Sequence, residues 1–238
     1  MLLGLVICVV YVAILISLEK LSGVPYPEIA KNADNLRKGV LIPVAICTAL
    51  LVAFAALTGR LLPAFSIDRV DAPWLWAIPV VFVLMIAVQF SRARWSLFDR
   101  RAIVFMILAT AVVGLSEELL VRGVFVDLLL ESGYDLRWIA VISSVVFGLL
   151  HGLNIFNGQS AKTTIVQVVL TSLIGLGLFA ALVVSGTLWL PILIHFLMDF
   201  AVIARGGTVN EDDEKPPPAQ AVLVIGLYAL ALVSLIAY

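Results

Sequence analysis

Eight apolar runs divide the chain, at 1–18, 40–58, 74–91, 102–131, 138–155, 164–185, 188–205 and 219–238. Each reaches the roughly 17–25 residues that a helix needs to cross a hydrocarbon core. The apolar positions are continuous rather than alternating with polar ones. That excludes a transmembrane barrel and leaves the helix as the element that satisfies its own backbone in lipid. The pattern predicts an all-α, polytopic transmembrane bundle of about eight helices (seven to eight, with the first and last least defined). The fourth run is about ten residues longer than a span requires, so its outer end is expected to project or tilt.

The polar positions between the runs set an orientation. Lys20, Lys31, Arg37 and Lys38 follow the first run, and Arg92, Arg94, Arg100 and Arg101 follow the third. Lys162 follows the fifth, and Arg205 and Lys215 the seventh. The alternate loops hold only Arg60, Arg69 and Arg137. The positive-inside bias then places the basic loops in the cytoplasm and both termini outside. Trp74, Trp76, Trp95, Trp138 and Trp189 fall at or near run ends, where an interfacial aromatic belt would sit.

Composition agrees with the pattern. Of the 238 residues 63% are hydrophobic and 13% charged, against about 25% charged in a soluble domain. The longest hydrophilic stretch, 19–39, is too short for a soluble domain. One membrane-embedded domain, 1–238, is expected. A net charge of −1 without a basic block gives no sign of nucleic acid. Cys8 and Cys47 lie in separate apolar runs and read as packing residues. The first run has no basic flank or small-residue cleavage site and is expected to stay as a helix. The acidic, Pro-rich segment 206–218 (GGTVNEDDEKPPP) reads as a solvated linker. Gly175, Gly177 and Ala181 are expected to let the sixth helix approach a neighbour closely.

Against this apolar background the run GLSEELLVRG, 114–123, stands out. Ionisable residues at the middle of a membrane helix cost about 2.5–3.5 kcal/mol each, and they persist where they are used. Glu118 and Arg122 are spaced i,i+4, as are Phe147 and His151, and His195 and Asp199. That spacing places each pair on one helix face. Glu117 is rotated about 100° from Glu118. Glu117 and His151 are each 17 residues from Tyr134, so an antiparallel hairpin brings both to about 25 Å from its turn. At equal depth they can face one another as a water-activating pair. Asn154, one turn after His151, reads as a helix-end residue or as part of the outer site.

Structural ion pairing would account for Glu118–Arg122 alone, and hydrogen bonding between helices for His195–Asp199 alone. Two adjacent acids, an arginine and both histidines together point to chemistry. A desolvated glutamate is a suitable base for hydrolysis, and a histidine can stabilise an oxyanion. Two histidines and several carboxylates could also hold zinc. The sequence lacks the His-Glu-x-x-His pair of zincins, so the expectation is no cofactor and no metal, with zinc the lesser alternative. A transporter or proton relay would use similar residues, but no inverted repeat is visible and the polar residues gather in one half of the chain.

The order Glu117-Glu118-x-x-x-Arg122, Phe147-x-x-x-His151, His195-x-x-x-Asp199 resembles the CPBP family of intramembrane proteases, also called Abi or type II CAAX prenyl endopeptidase-like. The likeness covers 116–200, within an expected catalytic core at 102–205. It implies a glutamate-dependent intramembrane endopeptidase in a helical bundle. Glu117 would be the general base and His151 would position the water. His195 and residue 199 would stabilise the oxyanion, while Glu118 and Arg122 orient the site and Phe147 supports it. The prenyl-protein proteases carry Asn at the last position, where this chain has Asp199. An ionised Asp donates no hydrogen bond to an oxyanion, so Asp199 is either protonated by burial or orients His195.

Beyond the lipid bilayer itself, the resemblance implies a peptide or membrane-associated protein substrate, in some members a lipidated one. Prenylated CAAX proteins are the best-known eukaryotic targets, and bacterial members are linked to peptide maturation and bacteriocin self-immunity. A non-catalytic immunity or scaffold member would keep the same bundle. The short loops resemble a prokaryotic member in the plasma membrane.

Overall fold

In a computed structural model, described over residues 1–206 and 218–238, the chain is an all-helical bundle with no strand among the described residues. The 206–218 linker lies outside the described residues except at its ends. Eight main helices follow in order: α1 Leu2–Ser22, α2 Ala33–Leu57, α3 Pro73–Phe90, α4 Arg100–Glu131, α5 Leu136–His151, α6 Ala161–Ser185, α7 Trp189–Ala204 and α8 Pro218–Ser234. Six are long and apolar enough to span a membrane, α5 when continued through its 3₁₀ turn to Phe156, whereas α7 and the apolar part of α8 are shorter. Large apolar side chains such as Leu2, Leu57, Ile165 and Val222 are exposed on the outside of the bundle. Only a hydrocarbon solvent accommodates so much apolar surface, so the protein is an integral multi-pass membrane protein.

Local chemistry sets where the helices start and stop. Asp99, Asp135 and Ser160 cap α4, α5 and α6 by accepting from the backbone N–H groups of Ala102, Trp138 and Thr163. Gly186 ends α6 in the left-handed conformation at φ 73°. The hydrophilic stretch 19–39 is more ordered than the sequence indicates. α1 runs on to Ser22, a 3₁₀ turn spans Tyr26–Lys31, and α2 begins at Ala33.

Two sets of contacts define the two ends of the bundle. At one end the Met1 amino group donates to Ser132 Oγ, Arg137 donates to the Tyr238 carbonyl, and Ser66 bridges to Thr187. At the other, Arg101 pairs with Asp34 at 3.1 Å and the Arg94 N–H donates to the Ala204 carbonyl. These are the alternate loop sets that the charge pattern separates. All five tryptophans are exposed, as an interfacial belt requires. Labelling single cysteines at Ser96 and Ser66 in intact cells is expected to give cytoplasmic and external sidedness respectively. Labelling of both from outside would contradict the orientation.

The long α4, 32 residues and about 48 Å, keeps its outer end in place through charge. Arg60 donates to Asp127 and to Glu131, each at 2.6 Å. Those two bonds, Glu131's foremost, push the guanidinium pKa still higher, so it remains charged.

Glycines set the spacing at the centre. A Cβ on Gly114 would lie 3.0–3.1 Å from backbone atoms of Phe196 and Ile192, so α4 and α7 touch one turn before Glu118. A Cβ on Gly148 would collide with Ser172 and the Val168 carbonyl. One on Gly175 would press on Arg122 and Ser144. These contacts bind α5 tightly to α6. The close approach expected at Gly175 and Gly177 is realised, against α5 and Phe82 respectively.

Candidate active site

α4, α5 and α7 bring all seven residues of the three motifs into one polar cluster within the bundle. Directly after Glu118 the helix widens into a π-helical stretch, Leu119–Phe125, all of it buried and containing Arg122. Such widenings recur where a helix must re-aim side chains. The sequence gives no sign of this one.

Glu118 and Arg122 have no exposed side-chain surface. Glu118 Oε1 accepts from Arg122 Nη1 at 3.1 Å and from His195 Nδ1 at 2.9 Å. The Glu118–Arg122 pair is thus the expected one, and His195 is a second partner that the spacing does not reveal. Arg122 also donates from Nη2 to the Gly175 carbonyl at 3.2 Å. Its guanidinium carbon lies 4.0 Å from the centre of the Phe147 ring. A desolvated cation gains from the negative face of an aromatic ring. The Phe147 ring in turn meets His151 and His195 edge-on, at 5.1 and 5.6 Å between centroids. Phe147 therefore joins the arginine to both imidazoles, which explains an apolar residue in a motif of polar ones.

With Nδ1–H given to the Glu118 carboxylate, His195 presents Nε2 to two further acids. Asp199 Oδ2 is 3.4 Å away and Glu117 Oε2 is 3.9 Å away. One imidazole thus stands among three carboxylates, and Arg122 neutralises part of their charge. Glu117 Oε2 is buried and accepts no hydrogen bond from another protein group.

Glu117 and Asp199 open onto a cavity of about 290 Å³, and His151 forms another part of its wall. His195, 7% exposed, lies behind them. Glu117 and His151, expected to face one another, line the same cavity, and the imidazole of His195 lies 3.9 Å from Glu117. His151 uses Nδ1 to bond the Phe147 carbonyl at 3.0 Å. A carbonyl only accepts, so Nδ1 carries the hydrogen and the neutral ring offers the Nε2 lone pair. The Asp199 side chain is 39% exposed at the cavity wall and reaches the His195 imidazole.

The rest of the cavity is mostly apolar, with Val12, Leu15, Val40 and Val44 from α1 and α2 among its lining. It also holds two polar residues that sequence reasoning passed over, Tyr11 and Gln167, beside Asn154, which it had placed at the helix end or the outer site. Tyr11 of α1 reaches Ser116 Oγ at 2.6 Å, beside Glu117. Asn154 and Gln167 meet across α5 and α6 at 3.0 Å. A lone tyrosine in α1 and a lone glutamine in α6 were signals of the same kind as the acids, polar groups within apolar runs. A second hollow, of about 490 Å³, reaches Arg122 from the opposite end but contains none of Glu117, His151 and Asp199. Among the described residues no three His, Cys, Asp or Glu side chains converge in metal-binding geometry. The groups nearest to serving a metal from the cavity wall would be Glu117, His151 and Asp199.

The chain is thus a multi-pass helical membrane protein in which Glu117, His151 and Asp199 face a mostly apolar cavity, with Glu118, Arg122 and His195 buried behind them. Residues 99–201 match the family described as type II CAAX prenyl endopeptidase Rce1-like. All three motifs lie within the matched residues, in agreement with the CPBP/CAAX protease resemblance. No curated protein and no solved structure matches the chain.

Proposed function

We propose that this protein is an intramembrane endopeptidase that hydrolyses a peptide bond with a water activated by Glu117, without a metal or cofactor. The observation that carries the proposal is Glu117 at the cavity wall, its buried Oε2 bonded by no protein group and facing His195, on a wall shared with His151. Glu117 takes a proton from water while the oxygen attacks the scissile carbonyl. His151 Nε2 accepts the water's second hydrogen and aims its lone pair. The C–O bond forms, and the negative charge that develops on the carbonyl oxygen is offset by the imidazole of His195, buried behind Glu117 and Asp199. As the C–N bond breaks, the proton on Glu117 passes to the leaving nitrogen. Glu118 and Arg122 hold His195 and the π-helical turn in register, and Asp199 holds the Nε2 side of His195 in place.

The mixed cavity suits a peptide carrying or adjoining an apolar group. The matched family is described as a CAAX prenyl endopeptidase, which makes a farnesylated peptide ending in Cys-aliphatic-aliphatic-X a suitable probe. The natural target is taken to be a peptide or membrane-associated protein in a prokaryotic plasma membrane. The purified protein in liposomes is expected to cleave the probe. Asp199→Asn is expected to retain substantial activity, because an amide can still bond the imidazole. Chelator treatment is expected to leave turnover unaffected. If Asp199 were a metal ligand, the amide would be a far poorer donor than the carboxylate. Loss of activity in Asp199→Asn, together with zinc-dependent recovery after chelation, would replace the metal-free mechanism.

A further inference from the structure

Resting on the protease reading, we infer that Gln167, held in place by Asn154, binds a backbone carbonyl of the substrate about two residues from the scissile bond. The Asn154 amide donates to Gln167 Oε1 at 3.0 Å, which fixes the orientation of the glutamine head group. With its oxygen engaged, the remaining groups of the Gln167 amide are its two N–H donors, and Gln167 lines the same cavity as Glu117 and His151. N–H donors in an otherwise mostly apolar enclosure select an acceptor, and the acceptor that every peptide carries is its carbonyl.

The spacing sets the register. Asn154 follows His151 by three residues, along the 3₁₀ turn Gly152–Asn157. At about 2.0 Å per residue the amide pair lies roughly 6 Å from the imidazole level. An extended peptide advances about 3.3 Å per residue, so that offset is about two residues. Gly148 and Gly175 make the arrangement possible, because α5 and α6 come close enough for the two amides to meet. Gly148 lies three residues before His151, so the contact that seats the amide pair also seats the imidazole. Binding through backbone carbonyls orients a peptide without reading its side chains, and it favours an extended segment over a helix, whose carbonyls are already bonded.

The test pairs variants with backbone-modified probes. Farnesylated peptides are made with one amide replaced by an ester at successive positions, which weakens the acceptor at the preceding carbonyl. Their binding to the Glu117→Gln protein is measured by fluorescence anisotropy, and their cleavage with Glu117 intact. Gln167→Leu is expected to weaken probe binding about tenfold, the loss of one hydrogen bond of roughly 1.4 kcal/mol, with the effect falling on KM. One ester position, about two residues from the cleaved bond, should weaken binding to the protein that keeps Gln167 and add nothing further in Gln167→Leu. The isosteric Gln167→Glu, which places an acceptor where donors stood, should lose at least as much and guards against misfolding of the leucine variant. If the pair only braces the helices, both variants lower the unfolding temperature while every ester penalty persists, and the inference is wrong although the protease reading survives. A protein that keeps Gln167 and Glu117 yet neither binds nor cleaves any probe overturns both.

Discussion

Glu117→Gln is expected to remove nearly all proteolysis while leaving the bundle folded. Its carboxylate makes no hydrogen bond that the fold depends on, with one oxygen orphaned and the closest charged contact, His195, at 3.9 Å. The amide keeps the volume but cannot take a proton. Removal of a positioned base costs on the order of 10²–10⁴ in rate. His151→Ala should fall in the same range, because it removes the group that aims the water. The double variant should be scarcely worse than either alone, since members of one catalytic unit fail together. The check is single-turnover cleavage of the farnesylated probe, with circular dichroism to confirm the fold. Full activity in Glu117→Gln would end the proposed mechanism. It would return the protein to the class of non-catalytic members, in which the same substitution changes nothing.

Arg122→Ala is expected to fail for a different reason, through folding. Arg122 supports the fold in three ways: an ion pair with Glu118, a bond to the Gly175 carbonyl, and a cation over the Phe147 ring. Its loss leaves Glu118 facing only His195 in a site without solvent. Breaking a buried pair on one side costs about 3–5 kcal/mol, a large fraction of a typical net stability. The protein should therefore accumulate poorly and unfold earlier, by size-exclusion profile and thermal melting in detergent. Arg122→Lys should rescue little, because one ammonium nitrogen cannot take the places of both Nη1 and Nη2 or lie flat over the ring. Replacing both Glu118 and Arg122 with neutral residues of similar size should recover part of the stability without the activity. Wild-type melting of Arg122→Ala would show that the pair is dispensable.

The helical bundle, the number of its main helices and the alternation of their loops were legible in the sequence for one physical reason. Lipid forces each spanning segment to be apolar throughout and to satisfy its own backbone, so the pattern along the chain is the topology. The same economy exposed the acids, Arg122 and the histidines as exceptions, and their i,i+4 spacings as shared faces. Lateral arrangement was not legible. That His195 contacts Glu117 and also bonds Glu118 depends on which face of α7 meets α4, and that depends on how closely Gly114 lets them approach. The π-helical widening after Glu118 is a response to packing that leaves no periodic trace. Asp199 was expected either to be buried and protonated or to orient His195, and only the position of the cavity shows its side chain partly open. The cavity itself, built by α1 and α2 against the motif helices, could not be inferred. Its apolar residues look the same in sequence whether they face lipid, a neighbouring helix or a substrate.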